Sequence, residues 1–235
     1  MIRISSKGEV TKVKVVTGDT LAQLDTTGTL TQKYQARCIP GKLSTELVTP
    51  VDTGRLLPHV VKQPKLMLSP VEHPGSGRLY SIAGIYRQIS PLVGQDFPDA
   101  GHDQERNRGA ALHRLVCTAL GYARYQDDGQ FPDIRNQLVE VKLQTSPTID
   151  LGLVRPSDTS PLDVPKMGGD QIRHCDVRYA VFYATTNGQV VTIKNLFVTT
   201  GELFFTRFPQ FQGKVLNAKL QIHLPSDFFD RKSES

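Results

Sequence analysis

Asp133, Glu140 and Lys142 fall within one short stretch, FPDIRNQLVEVKLQ, residues 131 to 144. In QLVEVKLQ apolar and polar residues alternate, so an extended strand would turn Val139, Val141 and Leu143 to one side. Leu138, Glu140, Lys142 and Gln144 would face the other. Glu140 and Lys142 would then stand about 7 Å apart, two rises of roughly 3.4 Å. Asp133 comes across from them if FPDIR is a strand paired antiparallel to QLVEVKLQ. Two carboxylates beside one lysine suit a hard divalent cation, above all magnesium, which prefers oxygen ligands and keeps waters and substrate phosphates. Such an ion lowers the pKa of bound water and offsets charge building on a phosphodiester. The lysine can orient that water or neutralise the phosphorus transition state. Phosphodiester hydrolysis is the reaction these groups fit.

Other groupings are weaker. Asp52-Thr53-Gly54 has the residues of an aspartic-protease triplet, but Arg55 follows directly and the sequence holds no second copy. His113 and Cys117 lie one helical turn apart and His174-Cys175 are adjacent, yet their spacing matches no standard zinc pattern and core packing explains them better. HPGSGRLYS has glycines without the strand-to-helix setting of a phosphate loop. Asp127 and Asp128 belong to a DDG turn.

The elements that must position the trio divide near residue 100. Residues 1–100 read as β-rich: IRIS and VTKVKVV alternate with period two, and prolines recur from Pro40 to Pro98, which excludes long helices. RLYSIAGIYRQIS, near 78–90, is the one extended candidate in that region. DQERNRGAALHRLVCTALGY then reads as a helix, with Asp103 as N-cap and Gly121 as its stop. Ala111, Leu112, Leu115, Val116, Ala119 and Leu120 form its apolar stripe. Short strands are expected at YARYQ, FPDIR and QLVEVKLQ, then a loop-rich region with a short helix over 145–176. A hairpin turning at Asn187-Gly188 follows, then a threonine-capped helix in TTGELFFTRF and a closing strand in AKLQIHLP. The order indicates a mixed α/β sheet over residues 101–235.

Pro132-Asp133 followed by Glu140-Val141-Lys142 resembles the PD-(D/E)xK nuclease signature, shared by most Type II restriction endonucleases and many repair nucleases. Six residues separate Asp133 from Glu140, at the short end of that family's range. The resemblance covers about residues 100–200. It implies a restriction-endonuclease-like mixed central sheet flanked by helices, with Asp133 and Glu140 as magnesium ligands and Lys142 as the catalytic cation. Glu105, in the first turn of the helix, is either a further ligand, as the resemblance suggests, or a complement to the helix dipole. Gln144 matches a polar residue several members carry. The implied activity is magnesium-dependent cleavage of double-stranded DNA, as a Type II restriction enzyme. The alternatives are a repair or recombination nuclease of the same fold and a DNA-binding module without catalysis.

The net charge of +5 agrees with a polyanionic partner without demanding one. Residues 1–100 carry 12 Lys/Arg against 8 Asp/Glu, whereas 101–235 carry 16 against 15. Lys12, Lys14, Lys33, Arg37, Lys62 and Lys65 are therefore the candidates for phosphate contact or sequence readout, with residues 1–100 serving recognition or dimerisation. A symmetric DNA site calls for a two-fold homodimer. No apolar run approaches the roughly 20 residues of a membrane span, and MIRISSKGEV lacks the apolar core of a secretion signal. Cys38, Cys117 and Cys175, odd in number and widely spaced, suit reduced thiols, so a cytoplasmic setting is expected.

Overall fold

The computed structural model describes residues 1–17, 20, 24, 31–38, 45–64, 69–99, 105–152, 154–210, 218–221 and 224–230. Twelve strands and three α-helices are present among them. The strands are β1 (Ile2–Ile4), β2 (Val10–Val13), β3 (Thr31–Arg37), β4 (Glu46–Leu47), β5 (Val60–Val61) and β6 (Leu79–Tyr80). They continue as β7 (Asp96–Pro98), β8 (Val139–Gln144), β9 (Thr148–Gly152), β10 (Arg178–Thr186), β11 (Val190–Thr200) and β12 (Ala218–Gln221). The helices are α1 (Ile82–Ile89), α2 (Glu105–Ala119) and α3 (Phe204–Arg207). No helix among the described residues is long and apolar enough to cross a membrane.

The central sheet is mixed, as an α/β reading requires. Its order is β4-β11-β10-β8, with β7 also paired to β11. The hairpin β10–β11 is antiparallel, and Gly188, at φ +88°, makes its turn. Strand β8 lies parallel to β10. Residues on both sides of position 100 share this sheet, because β4 and β7 pair with β11. A second, antiparallel sheet, β12-β3-β9, takes one strand from the first hundred residues and two from beyond them.

Alternation along the central strands makes two cores. On one face Val139, Ala180, Phe182, Val191 and Leu196 pack with Ile82, Ile85 and Ile89 of α1 and Leu112 and Val116 of α2. Val141 and Leu143 join that face, so the apolar side of β8 meets the helix as expected. On the other face Tyr179, Val181, Tyr183 and Phe197 pack against Ala36 and Ile149 of the second sheet and Phe204 and Phe208 around α3. Glu140 and Lys142 belong to this second face by strand alternation.

Helix α2 carries the stripe read from the sequence, with Leu112, Val116 and Leu120 buried. Gly121 ends it at φ +94°, where the Tyr122 N–H donates to the Cys117 carbonyl (3.0 Å). Asp103 lies outside the described residues.

Four local expectations are corrected. RLYSIAGIYRQIS is extended only at Leu79–Tyr80 and helical from Ile82: Ile82, Ile85 and Ile89 recur at helical spacing, and the Ser81 hydroxyl caps α1 by accepting from the Gly84 N–H (3.1 Å). YARYQ forms no strand. FPDIR is not a strand either, but contributes a single antiparallel bridge, Ile134 to Val139. The helix in TTGELFFTRF is capped by Leu203 without a side-chain bond, because Thr199 and Thr200 belong to β11.

Candidate active site

The six residues between Asp133 and Glu140 form a tight return. Ile134 and Val139 exchange both backbone hydrogen bonds (2.9 and 3.1 Å), a 3-10 turn spans Arg135–Gln137, and Leu138 sits at φ +49°. A left-handed leucine costs on the order of 1–3 kcal/mol and persists only where its surroundings fix it. Here they do. The Arg135 guanidinium donates to the Val71 carbonyl (2.6 Å) and to Asp128 (2.5 Å). Asn136, fully buried, donates its N–H to Pro70 O (2.9 Å) and accepts from the Tyr122 hydroxyl (2.8 Å). Gln137 accepts from the Tyr80 N–H (2.8 Å) and donates to Arg78 O (2.8 Å).

Arg178, at the start of β10, clamps the same turn. Its guanidinium donates to Gln137 O (2.7 Å), Tyr80 O (3.0 Å) and Asp52 Oδ1 (2.7 Å), and both side chains of the ion pair are almost wholly buried. The other Asp52 oxygen accepts from the Ile82 N–H at the start of α1 (2.9 Å). Both carboxylate oxygens of Asp52 are thus engaged in holding the fold. Thr53 is engaged as well, donating to Asp176 (2.7 Å). The Asp-Thr-Gly triplet is a structural bolt.

The return brings the opening pair of carboxylates together. The Asp133 N–H donates to Glu140 Oε2 (3.1 Å), and Asp133 Oδ2 accepts from the Val141 N–H (2.9 Å). Lys142 Nζ meets the other oxygen of Glu140 at 2.7 Å. Burial, and then the negative charge of Glu140, push the Asp133 carboxyl up to about 7, with Lys142 and the Val141 N–H pulling the other way. For Lys142 burial alone would favour the neutral amine. The Glu140 carboxylate and its hydrogen bond, with Asp133 and Asp150 behind them, outweigh it and raise the ammonium's pKa. Asp150, on β9, is held from β3 by the Gln35 amide (2.5 Å). Tyr179 neighbours Glu140 across the β8–β10 ladder, and burial, then Glu140 and Asp133, keep its phenol protonated.

The site thus surrounds one ammonium with an excess of carboxylates, and the lysine keeps 22% of its side chain exposed. No group of three or more His, Cys, Asp or Glu among the described residues is placed to hold a metal. The Glu105 side chain lies outside the described residues. Gln144 ends β8, half-buried, in register with Tyr183.

The His and Cys candidates do not form a metal centre. His113 is buried, edge-on to Tyr125, with its Nδ1 3.9 Å from Asp127. Burial lowers its pKa and also pushes the Cys117 thiol up to about 12, so that sulfur is neither an anionic ligand nor a nucleophile at neutral pH. His174 stacks on Phe131, its centroid 5.6 Å away. Cys38, Cys117 and Cys175 are all free and buried. Of the basic candidates, Lys12 pairs with Asp230 and Lys14 donates to Phe228 O (2.7 Å), while Arg37 and Lys62 are exposed. The side chains of Lys33 and Lys65 lie outside the described residues.

Sequence reasoning missed the residues that build the turn: Arg135, Asn136, Gln137, Arg178 and Asp52. One signal was present. Three consecutive polar residues between the apolar Ile134 and Leu138 are an unusual load for a short hairpin unless each has a buried partner. Comparison with protein-family models, characterised proteins and solved structures returned no match for this chain.

Proposed function

We propose that this protein is a magnesium-dependent endonuclease of the restriction-endonuclease-like type, cutting double-stranded DNA as a homodimeric Type II enzyme. The observation that carries the reading is the hydrogen-bonded convergence of Asp133, Glu140 and Lys142 on one point of the sheet. Asp133 and Glu140 would hold the ion, which when bound supplies a water of lowered pKa and positive charge beside the scissile phosphate. The donor set fits: oxygen ligands, and a carboxyl that burial and the neighbouring Glu140 charge keep protonated up to about 7, a proton a cation would displace. Lys142, tethered through Glu140 and reaching the surface, is placed to orient the attacking water or to neutralise phosphate oxygens in the transition state. The Val141 N–H fixes Asp133, and the turn clamped by Arg178 keeps the two carboxylates from drifting apart.

Incubating the protein with phage-length DNA and magnesium, then sequencing the new ends, tests this reading. A short shared sequence at the ends is the expected result. Ends without sequence preference would make it a repair or recombination nuclease, and intact DNA would remove the nuclease assignment.

A further inference from the structure

His59, Ser76 and Asp170 belong to three loops that the proposed nuclease chemistry does not use. His59 closes the 3-10 turn Leu57–His59 just before β5. Ser76 stands in the Gly75-Ser76-Gly77 loop just before β6, and the parallel pairing of β5 with β6 brings the two loops together. The Gly77 N–H also donates to the His59 carbonyl (3.0 Å). Asp170 ends a turn closed by two backbone bonds with Met167 (2.8 and 3.0 Å).

The side chains form a continuous chain. His59 Nδ1 lies 3.0 Å from Ser76 Oγ, and Nε2 lies 3.1 Å from Asp170 Oδ2. The imidazole is buried with 4% of its side chain exposed, Asp170 is 48% exposed, and Ser76 faces solvent. Gly168, at φ +55°, brings bare backbone against the ring: a Cβ there would meet His59 Cε1 at 3.0 Å.

The partners fix the tautomer. A carboxylate only accepts hydrogen bonds, so Nε2 carries the ring proton and gives it to Asp170. Nδ1 is left with its lone pair and accepts the Ser76 hydroxyl proton. A hydroxyl against a basic ring nitrogen, with the ring oriented by an acid, is the pairing of an activated nucleophile, here with the two ring nitrogens exchanged relative to the serine-protease triad, where the serine faces Nε2 and the acid Nδ1.

We propose that Ser76, His59 and Asp170 form a second hydrolytic site, independent of Asp133 and Glu140, that takes activated acyl esters. Ser76 Oγ bonds to the acyl carbon while its proton passes to His59 Nδ1, and Asp170 steadies the resulting imidazolium. The ester C–O bond breaks, and the departing oxygen takes the proton from Nδ1. Water then attacks the acyl-serine, releasing a carboxylic acid and restoring the serine hydroxyl.

The test treats the full chain, in EDTA, with a fluorophosphonate probe and with p-nitrophenyl acetate, and maps adducts by peptide mass. EDTA makes the outcome independent of the magnesium-dependent nuclease reading. The expected result is one adduct at Ser76, none at the exposed Ser146 in the same sample, and a burst of nitrophenol. Asp170→Asn, which keeps an acceptor oxygen but removes the charge, should slow labelling roughly tenfold or more. His59→Gln should abolish it, with the unfolding midpoint confirming that the variant is folded. Labelling of Ser76 no faster than of Ser146, or at the wild-type rate in Asp170→Asn, overturns the proposal.

Discussion

Replacing Asp52 by alanine tests whether the turn between Asp133 and Glu140 is built by a buried ion pair. Arg178 and Asp52 have 0% and 1% of their side chains exposed, so removing the acid leaves a guanidinium in the interior without its counter-charge. Breaking a buried pair from one side costs about 3–5 kcal/mol. The same substitution removes the acceptor for the Ile82 N–H at the start of α1, worth roughly 0.5–2 kcal/mol as a lost cap. Two hydrogen bonds from Arg178, to Gln137 O and Tyr80 O, survive and limit the damage, so a total near the lower end, about 4 kcal/mol, is expected. With an m-value of roughly 3 kcal/mol per M in urea, the unfolding midpoint falls by about 1–1.5 M. Asp52→Asn keeps an acceptor for the α1 N–H and should lose less. Urea unfolding followed by circular dichroism reads both variants. A midpoint shift below about 0.3 M for Asp52→Ala, or an equal loss in both, would refute the reasoning.

Asp133 sets a pH dependence. Its carboxyl sits near 7 in the folded protein against an ordinary value of 3.8, so the folded state binds more protons between those limits. Stability should therefore fall as pH rises from about 4 through about 7, a slope that Asp133→Asn should flatten; parallel unfolding curves for the two proteins would contradict this. Because proton and cation compete for the same oxygens, magnesium affinity by calorimetry should weaken as pH drops below 7. Asn136→Ala leaves the Tyr122 hydroxyl without its acceptor and should lower stability by about 1–3 kcal/mol, read as an unfolding midpoint. Replacing Lys12 and Lys14 together by alanine should reduce the slope of log affinity against log salt by about 1.8 if both meet phosphate. An unchanged slope would leave them as anchors of residues 228–230 alone.

Much of the frame was legible where a single period dominated. The stripe of α2, the hairpin at Asn187-Gly188 and the alternation of β8 each follow from local pattern and survive packing unchanged. Helix α1 was hidden because its eight residues sit between Tyr80 and the Ser90-Pro91 pair, where proline spacing suggested extended chain. The short β9 was hidden because its pairing partner, β3, is over a hundred residues away. At the site the residue types were readable, since Asp133, Glu140 and Lys142 are close in sequence. Their supports were not: Arg178 and Asp52 reach the turn from positions 126 apart in the chain, and no local pattern encodes such a contact. Leu138 at positive φ was equally invisible, because leucine carries no turn preference.

The central claim is tested most directly by incubating supercoiled plasmid with the wild-type protein, Asp133→Ala, Glu140→Ala and Lys142→Ala, each with magnesium and with EDTA. The expected result is nicked or linear plasmid with wild type and magnesium alone, with each variant slowed by roughly a hundredfold or more. Equal conversion by all four proteins, or conversion indifferent to EDTA, would contradict it.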